Sequence, residues 1–333
     1  MKRAGDLYDG LAERENLRVA FWKAARGCRA SPACIRFAAR LDENLARLAE
    51  EIRDGSVEPG GFHRFRIYDP KERVISAPPF RDRVLHHAIM NVCEPHLDRW
   101  LIADTFACRT GKGRLRALDR ASHFARRHPW FLKMDIRKYF DSVSHDRLLA
   151  LFGRRFKDRR LLALLGKLVH SHESAPARGL PIGSLISQHL ANFYLGWLDR
   201  YVKETLRRPG YVRYMDDFVV WGDGWDDLAA VLDSVRGFLS SELDLTLKDF
   251  PYANRTGHGM DFLGFRVFPK RREPNRASRR RFSRRTLALG AAWERGEVTA
   301  LQLQQRTAAM IAFVREGDAC HLLRRVAAMA PTA

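Results

Sequence analysis

The segment Tyr211-Val-Arg-Tyr-Met-Asp-Asp-Phe-Val-Val-Trp221 carries two runs of aromatic and β-branched residues on either side of two acids. Such residues favour strands, and a short polar break between two of these runs predicts a β-hairpin. Asp216 and Asp217 would then lie at the hairpin tip, with apolar neighbours on both sides. Buried carboxylates are costly unless they are paired or bind a metal ion. A solvated surface turn is the alternative interpretation.

A further acid lies upstream, in Phe131-Leu-Lys-Met-Asp-Ile-Arg-Lys-Tyr-Phe-Asp141. Residues 130–134 predict a short strand that ends on Asp135, before a turn-prone segment. One acid at a strand end and two at a hairpin tip form the carboxylate set that a two-metal phosphoryl-transfer site needs. Mg²⁺ prefers such oxygen ligands. Two carboxylates about 4 Å apart repel by roughly 4 kcal/mol at an effective dielectric of about 20, so we expect cations between them.

These motifs, in this order, resemble those of reverse transcriptases. Tyr214-Met-Asp-Asp217 matches the catalytic box of that family, and Asp135 with Phe140 matches the motif that supplies the first acid. The resemblance extends from about Arg64 to Phe268. It implies an α+β fold, namely a right-hand polymerase with fingers, a palm made of a ferredoxin-like antiparallel sheet with helices, and a helical thumb.

The resemblance also implies an RNA-directed DNA polymerase that uses two Mg²⁺ ions and deoxynucleoside triphosphates. The ions would be held by Asp135, Asp216, Asp217 and the backbone carbonyl of Ile136. Residues 243–248 alternate as a strand and place Lys248 where the family has a lysine that protonates the leaving pyrophosphate, a general-acid role. An ordinary structural lysine is the alternative.

Positive charge for the triphosphate is expected from a basic, β-prone segment that begins at Phe62 and predicts a hairpin turning at Asp69-Pro70. Arg66 and Arg73 lie where the resembled fingers hairpin places its cations. Fixed positive charge on the leaving group is what phosphoryl transfer needs. Ordinary surface arginines remain the alternative.

A second basic loop spans residues 106–114, where two glycines flank a lysine. Glycine lets the backbone approach a phosphate or a template strand closely. Arg109 and Lys112 are therefore candidates for template or triphosphate contact, and a plain basic turn is the alternative. Phe140, five residues after Asp135, matches the family's aromatic that packs under the sugar and excludes ribonucleotides; an ordinary core phenylalanine is the other interpretation.

The loop Gly179-Leu-Pro-Ile-Gly-Ser-Leu-Ile-Ser-Gln188 opens an amphipathic helix and resembles the family's template- and nucleotide-positioning motif. Most relatives carry Gln at the position of Ile182 and Pro at that of Gln188. The pattern Ile-Gly-x-x-x-Ser-Gln, which includes Gly183, resembles reverse transcriptases of diversity-generating retroelements. Those enzymes make error-prone cDNA from a template-repeat RNA for mutagenic retrohoming. The resemblance implies a structured template RNA, its cDNA and a small basic oligomeric accessory protein as partners.

Residues 259–267 resemble the primer-grip hairpin, in which Phe262, Leu263 and Phe265 would seat the primer end and Gly264 would allow close backbone approach. Between residues 266 and 285, ten of twenty residues are Lys or Arg, opposed only by Glu273. Such a run would grip phosphates through counterion release, and a solvated linker is the alternative.

The chain as a whole has 333 residues, a formal net charge of +20 and a pI near 10.4. This charge indicates a polyanionic partner. No apolar run is long enough for a membrane span, and no secretory signal is visible. The five scattered cysteines lack a Cys-x-x-Cys spacing, which favours reduced thiols. We therefore expect a cytoplasmic protein, and the resemblance implies that it is encoded by a bacterium or phage.

Four parts are expected in chain order. The expected parts are an N-terminal helical extension over 1–60, fingers over 61–130, a palm over 131–268 with a fingers insertion at about 150–182, and a basic thumb over 269–333. The thumb prediction rests on helical spacing of the apolar residues Leu287, Leu301, Leu303, Met310, Ile311, Phe313, Leu322 and Leu323.

Three other functions stay open. A reverse transcriptase of the group II intron or antiviral-defence type differs from the first choice in its error spectrum. A non-catalytic RNA-binding protein derived from a polymerase is disfavoured by the presence of all three acids. An RNA-dependent RNA polymerase is disfavoured by Phe140.

Overall fold

The computed structural model describes residues 3–68 and 72–318. Its N-terminal part is helical, as the sequence predicts, with Leu45, Leu48 and Ile52 buried on one face of the fourth helix. Gly55 ends that helix in the left-handed conformation, at φ 72°. The helices are α1 Tyr8–Leu11, α2 Arg14–Ala25, α3 Pro32–Ala39 and α4 Leu41–Asp54.

The predicted basic hairpin is present as strands β1 His63–Tyr68 and β2 Glu72–Ala77, which pair antiparallel. Its predicted turn at Asp69-Pro70 lies outside the described residues. Two helices follow, α5 Phe80–Trp100 and α6 Arg114–Arg127. Val84, Leu85, Ala88 and Ile89 are buried on the inner face of α5, as their spacing predicts.

The central sheet has four antiparallel strands in the order β4-β5-β3-β6. Its strands are β3 Trp130–Asp135, β4 Tyr211–Tyr214, β5 Asp217–Gly222 and β6 Tyr252–Arg255. Helices lie between β3 and β4 and between β5 and β6, which gives the chain order βαββαβ. With the fourth strand beside the first and the third between the first and second, this is the ferredoxin-like sheet expected for a palm.

The helices inserted between β3 and β4 are α7 Tyr139–Ser142, α8 His145–Gly153, α9 Arg159–His170 and α10 Leu185–Arg200. A π-helical turn, Tyr201–Thr205, continues α10. The helix between β5 and β6 is α11 Trp225–Leu243, which buries leucines and valines on one face. None of the helices in the described part of the chain is long and apolar enough to span a membrane.

Alternation along the strands divides the core between two faces of the sheet. Leu132 and Val220 face the main core, which the helices α5, α8, α9, α10 and α11 complete. Phe131, Val219 and Trp221 face a second core, shared with α6 and with the hairpin that follows β6. The acids at the strand ends therefore sit on a sheet that is packed on both faces.

The C-terminal part contains a three-stranded antiparallel sheet and two helices. They are β7 Met260–Phe262, β8 Phe265–Val267, β9 Arg272–Pro274, α12 Arg276–Glu294 and α13 Ala300–Arg315. The expected helices of this part are thus present in the described residues. Leu322, Leu323 and Cys320 lie outside them, as does the end of the thumb expected over 269–333.

One local prediction was wrong. Residues 243–248 do not form a strand: Leu243 closes α11, Asp244 adopts φ 51°, and a single bridge joins Leu247 to Ile136. Burial of Leu243 at the helix end outweighs the alternating pattern. The basic run from residue 266 contains β9 and the start of α12, and its grip on phosphates stays a prediction. Leu287 and Leu301 are 67% and 62% exposed, because they lie on the outer faces of α12 and α13.

Two helix-interior glycines should respond oppositely to the same substitution. A β-carbon at Gly196 of α10 would lie 2.5 Å from Trp100 Cζ3, so Gly196→Ala should lower the free energy of unfolding by about 1–3 kcal/mol. Gly237 of α11 has open space around it, so Gly237→Ala should raise stability by up to about 1 kcal/mol. Urea unfolding of the two variants checks this, and equal shifts of one sign would contradict the packing of α10 on α5.

Candidate active site

The ladder between β3 and β5 brings the acids together. Asp135 is paired in register with Asp217, so the two side chains leave neighbouring strands on the same face. Asp216 precedes Asp217 in the chain and follows Met215, the tip residue of the β4–β5 hairpin. Met215 adopts a left-handed conformation at φ 55°. The pKa values record this proximity: burial, and then repulsion from Asp135, raise the pKa of Asp216. Two distant segments thus form one acidic cluster.

Burial has its largest effect on Asp217. Removal of this carboxylate from water raises its pKa to about 6, although the neighbouring ammonium of Lys133 lowers it. Repulsion from Asp135 and Asp216 raises it further. An acid with this pKa stays partly protonated near neutral pH unless more positive charge is supplied.

Two lysines supply positive charge to the cluster. The Lys248 ammonium pairs with Asp135 Oδ2, and the backbone N–H of Lys248 donates to the Asp135 carbonyl at 2.9 Å. Lys133 Nζ lies 3.0 Å from Asp217 Oδ2 and donates to the carbonyl of Asp261 at 2.7 Å. Lys248 was predicted here, whereas Lys133 was missed. Its signal was the strand period of two, which puts residues 133 and 135 on one face.

The donor set suits a hard divalent cation. Asp135 Oδ1 and Asp217 Oδ1 are both buried and have no hydrogen-bond partner among the described residues. Buried acceptors without partners are rare, and a divalent cation is one ligand that would satisfy these two oxygens. Within the described part of the chain, no group of three His, Cys, Asp or Glu side chains is already arranged to hold a metal ion. Ile136, the fourth predicted ligand, is buried next to Asp135.

The two arginines of the fingers hairpin leave it on opposite faces. Ile67 pairs with Arg73, whereas Arg66 pairs with Val74 one position along, and successive residues of a strand point to opposite sides. Arg73 acts on the acids, because its charge lowers the pKa of Asp216. Arg66 Nη1 is instead paired with Glu72 at 2.9 Å. The two predicted triphosphate contacts are therefore not equivalent.

The side chains of Arg109 and Lys112 are bound to the end of α5 and to the segment that follows it. The guanidinium of Arg109 donates to Asp98 Oδ1 at 2.5 Å and to the carbonyl of Ile102 at 2.6 Å, and its side chain is 7% exposed. Lys112 Nζ donates to the carbonyl of Ala103 at 2.8 Å. These donors hold the basic turn in place, and contact of the two residues with template or triphosphate stays a prediction.

The loop before α10 is fastened to the fingers hairpin. The carbonyl of Ile182 accepts a hydrogen bond from Ser76 N at 2.7 Å. Gly183 adopts φ 112°, and a β-carbon there would lie 2.7 Å from Ile75 Cγ2, so this close approach requires glycine. Gln188 Oε1 lies 3.6 Å from the Cys108 thiol, which joins α10 to the second basic loop.

Phe140 is half-buried against the main core, and its carbonyl accepts from Leu180 N at 2.8 Å. The ring is therefore neither a fully buried core residue nor an exposed one. Phe140 lies in α7, five residues after Asp135, and α7 is hydrogen-bonded through it to the loop that holds Ile182.

The β7–β8 hairpin places only part of its predicted residues at an accessible surface. Phe262 and Phe265 are buried in the second core and cannot seat a primer directly. Leu263 and Gly264 form the tip, at φ 49° and 88°, and line a groove of about 850 Å³. Helices α12 and α13 form its other walls. Its lining includes the cations Arg114, Arg281, Arg285 and Arg306 and the apolar Phe282, Leu289, Met310 and Phe313.

The pKa of Asp217 predicts a pH-dependent stability. Its pKa is about 6 in the folded protein, against about 3.9 in an unfolded chain, so the folded state holds the proton more tightly. This contribution to stability is complete below about pH 4 and is lost as the pH rises through about 6. In metal-free buffer, Asp217→Asn should therefore raise the free energy of unfolding by up to about 3 kcal/mol at pH 8 and by no more than about 0.5 kcal/mol at pH 4.

Chemical denaturation at the two pH values measures this difference. Asp233→Asn is the control, since Asp233 is an exposed acid of α11 that pairs with Arg236. Its effect should stay within about 0.5 kcal/mol at both pH values. If Asp217→Asn changes the free energy of unfolding equally at pH 4 and pH 8, burial of the charge is not the cause of that change.

Comparison with known proteins identifies a matching family model and relatives of similar sequence. Residues 68–267 match the family model described as "Reverse transcriptase (RNA-dependent DNA polymerase)". The chain is 27% identical over 284 residues to Protein YkfC of Escherichia coli K12, which covers 70% of this chain and 73% of that protein. It is 26% identical over 178 residues to the group II intron-encoded protein LtrA of Lactococcus lactis, covering 48% of this chain and 28% of that protein.

Solved telomerases share the fold. The telomerase of Candida albicans, solved with a fragment of telomeric RNA, covers 66% of this chain and 47% of its own, with a TM-score of 0.50 and 11% identity. Apo telomerase of Candida tropicalis, truncated from its C-terminal domain, covers 68% and 58%, with a TM-score of 0.51 and 11% identity. The present chain thus spans about half of each telomerase chain. At this identity the likeness extends to the fold alone, which is that of a right-hand polymerase.

Proposed function

This chain belongs to the reverse transcriptase family, and we propose that it synthesises DNA on an RNA template with Asp135, Asp216 and Asp217 as its catalytic acids. One observation carries the assignment. Two carboxylates in register on neighbouring strands, Asp135 and Asp217, each keep a buried oxygen without a partner, beside a third acid at the hairpin tip. Because folding gains nothing from such a cluster, a bound cation is the simplest reason for it.

Mg²⁺ fits this donor set, and Asp135, Asp216, Asp217 and the carbonyl of Ile136 would hold two ions. When bound, the ions supply Lewis-acid activation of the primer 3′-hydroxyl and neutralise charge on the triphosphate. Lys248 would move from Asp135 to the leaving pyrophosphate and donate a proton there. Lys133 would keep Asp217 ionised and oriented, because it pairs with that carboxylate.

The remaining parts of the site would position substrates. The charge of Arg73 is close enough to Asp216 to favour its ionised form. Arg73 would therefore place positive charge on the triphosphate. Arg66 would contribute only after release from Glu72. Phe140 would pack under the sugar, where a ribose 2′-hydroxyl would collide with its ring. The groove beside Leu263 and Gly264, with its arginine rim, would hold the primer strand of the RNA–DNA duplex.

Asp216→Asn tests the assignment. Loss of one ligand carboxylate should lower the rate of primer extension on a defined RNA template by at least about a hundredfold. Binding of the template–primer, measured by fluorescence anisotropy, should change less than about twofold, since one acid among many cations makes little difference to phosphate binding.

Asp233→Asn is again the matched control and should extend primers at the wild-type rate. An Asp216→Asn enzyme that retains full activity would refute the role of this acid. Parallel reactions with ribonucleotides separate DNA from RNA synthesis. A wild-type protein that binds the template–primer but incorporates neither would favour the non-catalytic alternative.

The finer proposal is a reverse transcriptase of the diversity-generating type. It is supported by Ile182 and Gln188, where most relatives carry Gln and Pro. An isoleucine side chain at position 182 cannot donate a hydrogen bond near the nucleotide sugar or template base, so discrimination against mispairs loses about 0.5–1.5 kcal/mol. The partners would then be a structured template RNA and a small basic oligomeric accessory protein, inside the cell where the nucleotides are.

A group II-like enzyme is the second candidate, and the likeness to the intron-encoded protein of Lactococcus lactis favours it. The substitution Ile182→Gln distinguishes the two. If Ile182 relaxes pairing, the variant should lower misincorporation opposite template adenine by about three- to tenfold, which corresponds to one hydrogen bond. Sequencing of cDNA made on one RNA template by both proteins measures this. An unchanged error spectrum would remove this role of Ile182, and a wild-type spectrum without adenine errors would favour the group II-like enzyme.

A further inference from the structure

A fully buried ion pair joins strand β4 of the β4–β5 hairpin to helix α10. The side chains of Arg213 on β4 and Asp199 on α10 are both 0% exposed. Arg213 Nε donates to Asp199 Oδ1 and Nη2 donates to Asp199 Oδ2, each at 2.6 Å. This bidentate geometry is the strongest that an arginine can form with a carboxylate.

The other donors of Arg213 are also used. Nη1 donates to Asn192 Oδ1 and to the carbonyl of Met215, both at 2.9 Å, and Nη2 donates to the carbonyl of Asn192 at 3.0 Å. A guanidinium has five N–H donors, and all five have an acceptor here. Arg213 therefore has no alternative arrangement available without breaking a buried bond.

Asp199 is held as completely as its partner. Its oxygens also accept from the hydroxyls of Tyr211 and Thr105, each at 2.6 Å. The Asn192 amide donates to the carbonyl of Ala107 at 2.8 Å. The pair thus joins α10, β4 and the loop before α6 into one rigid unit.

This unit contacts the acidic hairpin tip through the carbonyl of Met215, which accepts a hydrogen bond from Arg213 Nη1. Met215 is the tip residue, and it holds a left-handed conformation that non-glycine residues disfavour. Asp216 follows directly. A carbonyl held by a guanidinium that cannot move is a means of keeping this tip in its unfavourable conformation. A buried ion pair is weak as a source of stability, because desolvation offsets its attraction.

We propose that Arg213 is a positioning residue of the active site, clamped by Asp199 so that it fixes the Met215 carbonyl and thereby the orientation of Asp216. This inference rests on the proposed function. Tyr211 and Thr105 act at one remove, because each holds Asp199 in place. Arg213, Tyr211 and Thr105 would thus act through other residues of the protein and not through contact with a substrate.

Two buried tyrosines make a matched test. Tyr211→Phe removes the 2.6 Å bond to Asp199, and Tyr194→Phe removes a 2.6 Å bond to the carbonyl of Leu243, outside the unit. Both rings are 0% exposed, so the two variants should lose similar stability. Only Tyr211→Phe should lower kcat for primer extension, by about threefold to tenfold. It should also raise the Mg²⁺ concentration that gives half the maximal rate, while KM for the template–primer stays within twofold.

Arg213→Lys is the stronger variant. It keeps a positive charge opposite Asp199 but cannot reach both the carboxylate and the Met215 carbonyl. We expect kcat to fall by at least about tenfold, with the Mg²⁺ requirement shifted in the same direction as for Tyr211→Phe. If Arg213→Lys does not fold, the tyrosine pair carries the test alone.

Binding of Mn²⁺, followed by electron paramagnetic resonance, separates this inference from the proposed function. Should the wild-type protein make no DNA, the proposed function fails, and Mn²⁺ affinity then tests the clamp by itself. Weaker Mn²⁺ binding in Tyr211→Phe than in Tyr194→Phe would support it. Equal kcat, equal Mg²⁺ dependence and equal Mn²⁺ affinity of the two variants would overturn it and leave Arg213 as a structural residue.

Discussion

The buried pair of Arg213 and Asp199 is the interaction on which the rest of the structure depends. It costs desolvation of two charges, which only complete hydrogen bonding can offset, and here every guanidinium donor has an acceptor. The pair ties the long helix α10 to the edge strand β4 and to the loop that contains Thr105. A site that must hold three acids in place is thereby built against a part of the fold with little freedom to relax.

The three acids are brought together at an electrostatic cost. Asp135, Asp216 and Asp217 repel one another, and burial raises the pKa of the latter two. Two lysines reduce this repulsion, because Lys133 pairs with Asp217 and Lys248 pairs with Asp135. Both lysines sit where a divalent cation would compete with them. A metal-binding polymerase site would therefore exchange internal counterions for external ones, and its fold would gain stability from the exchange.

Much of the site follows from local patterns in the sequence. The strand before Asp135, the hairpin around Met215, and the turn at Leu263 and Gly264 all rest on alternation and on turn-forming residues. Those patterns depend on short-range physics, so they are readable without a fold. The predictions failed where two local tendencies competed, as at residues 243–248, where burial of a helix end overrode strand alternation.

By itself, the sequence determined which residues could do chemistry and in what order they stand along the chain. Only the tertiary structure decided which of them meet. The register of β3 against β5 sets Asp135 opposite Asp217, and it brings Lys133 to the same cluster. The register of β1 against β2 puts Arg66 and Arg73 on opposite faces, and Arg109 is bound by Asp98 and by the carbonyl of Ile102. The physical reason is that pairing register and the satisfaction of buried donors are settled between segments far apart in the chain, and no local pattern records them.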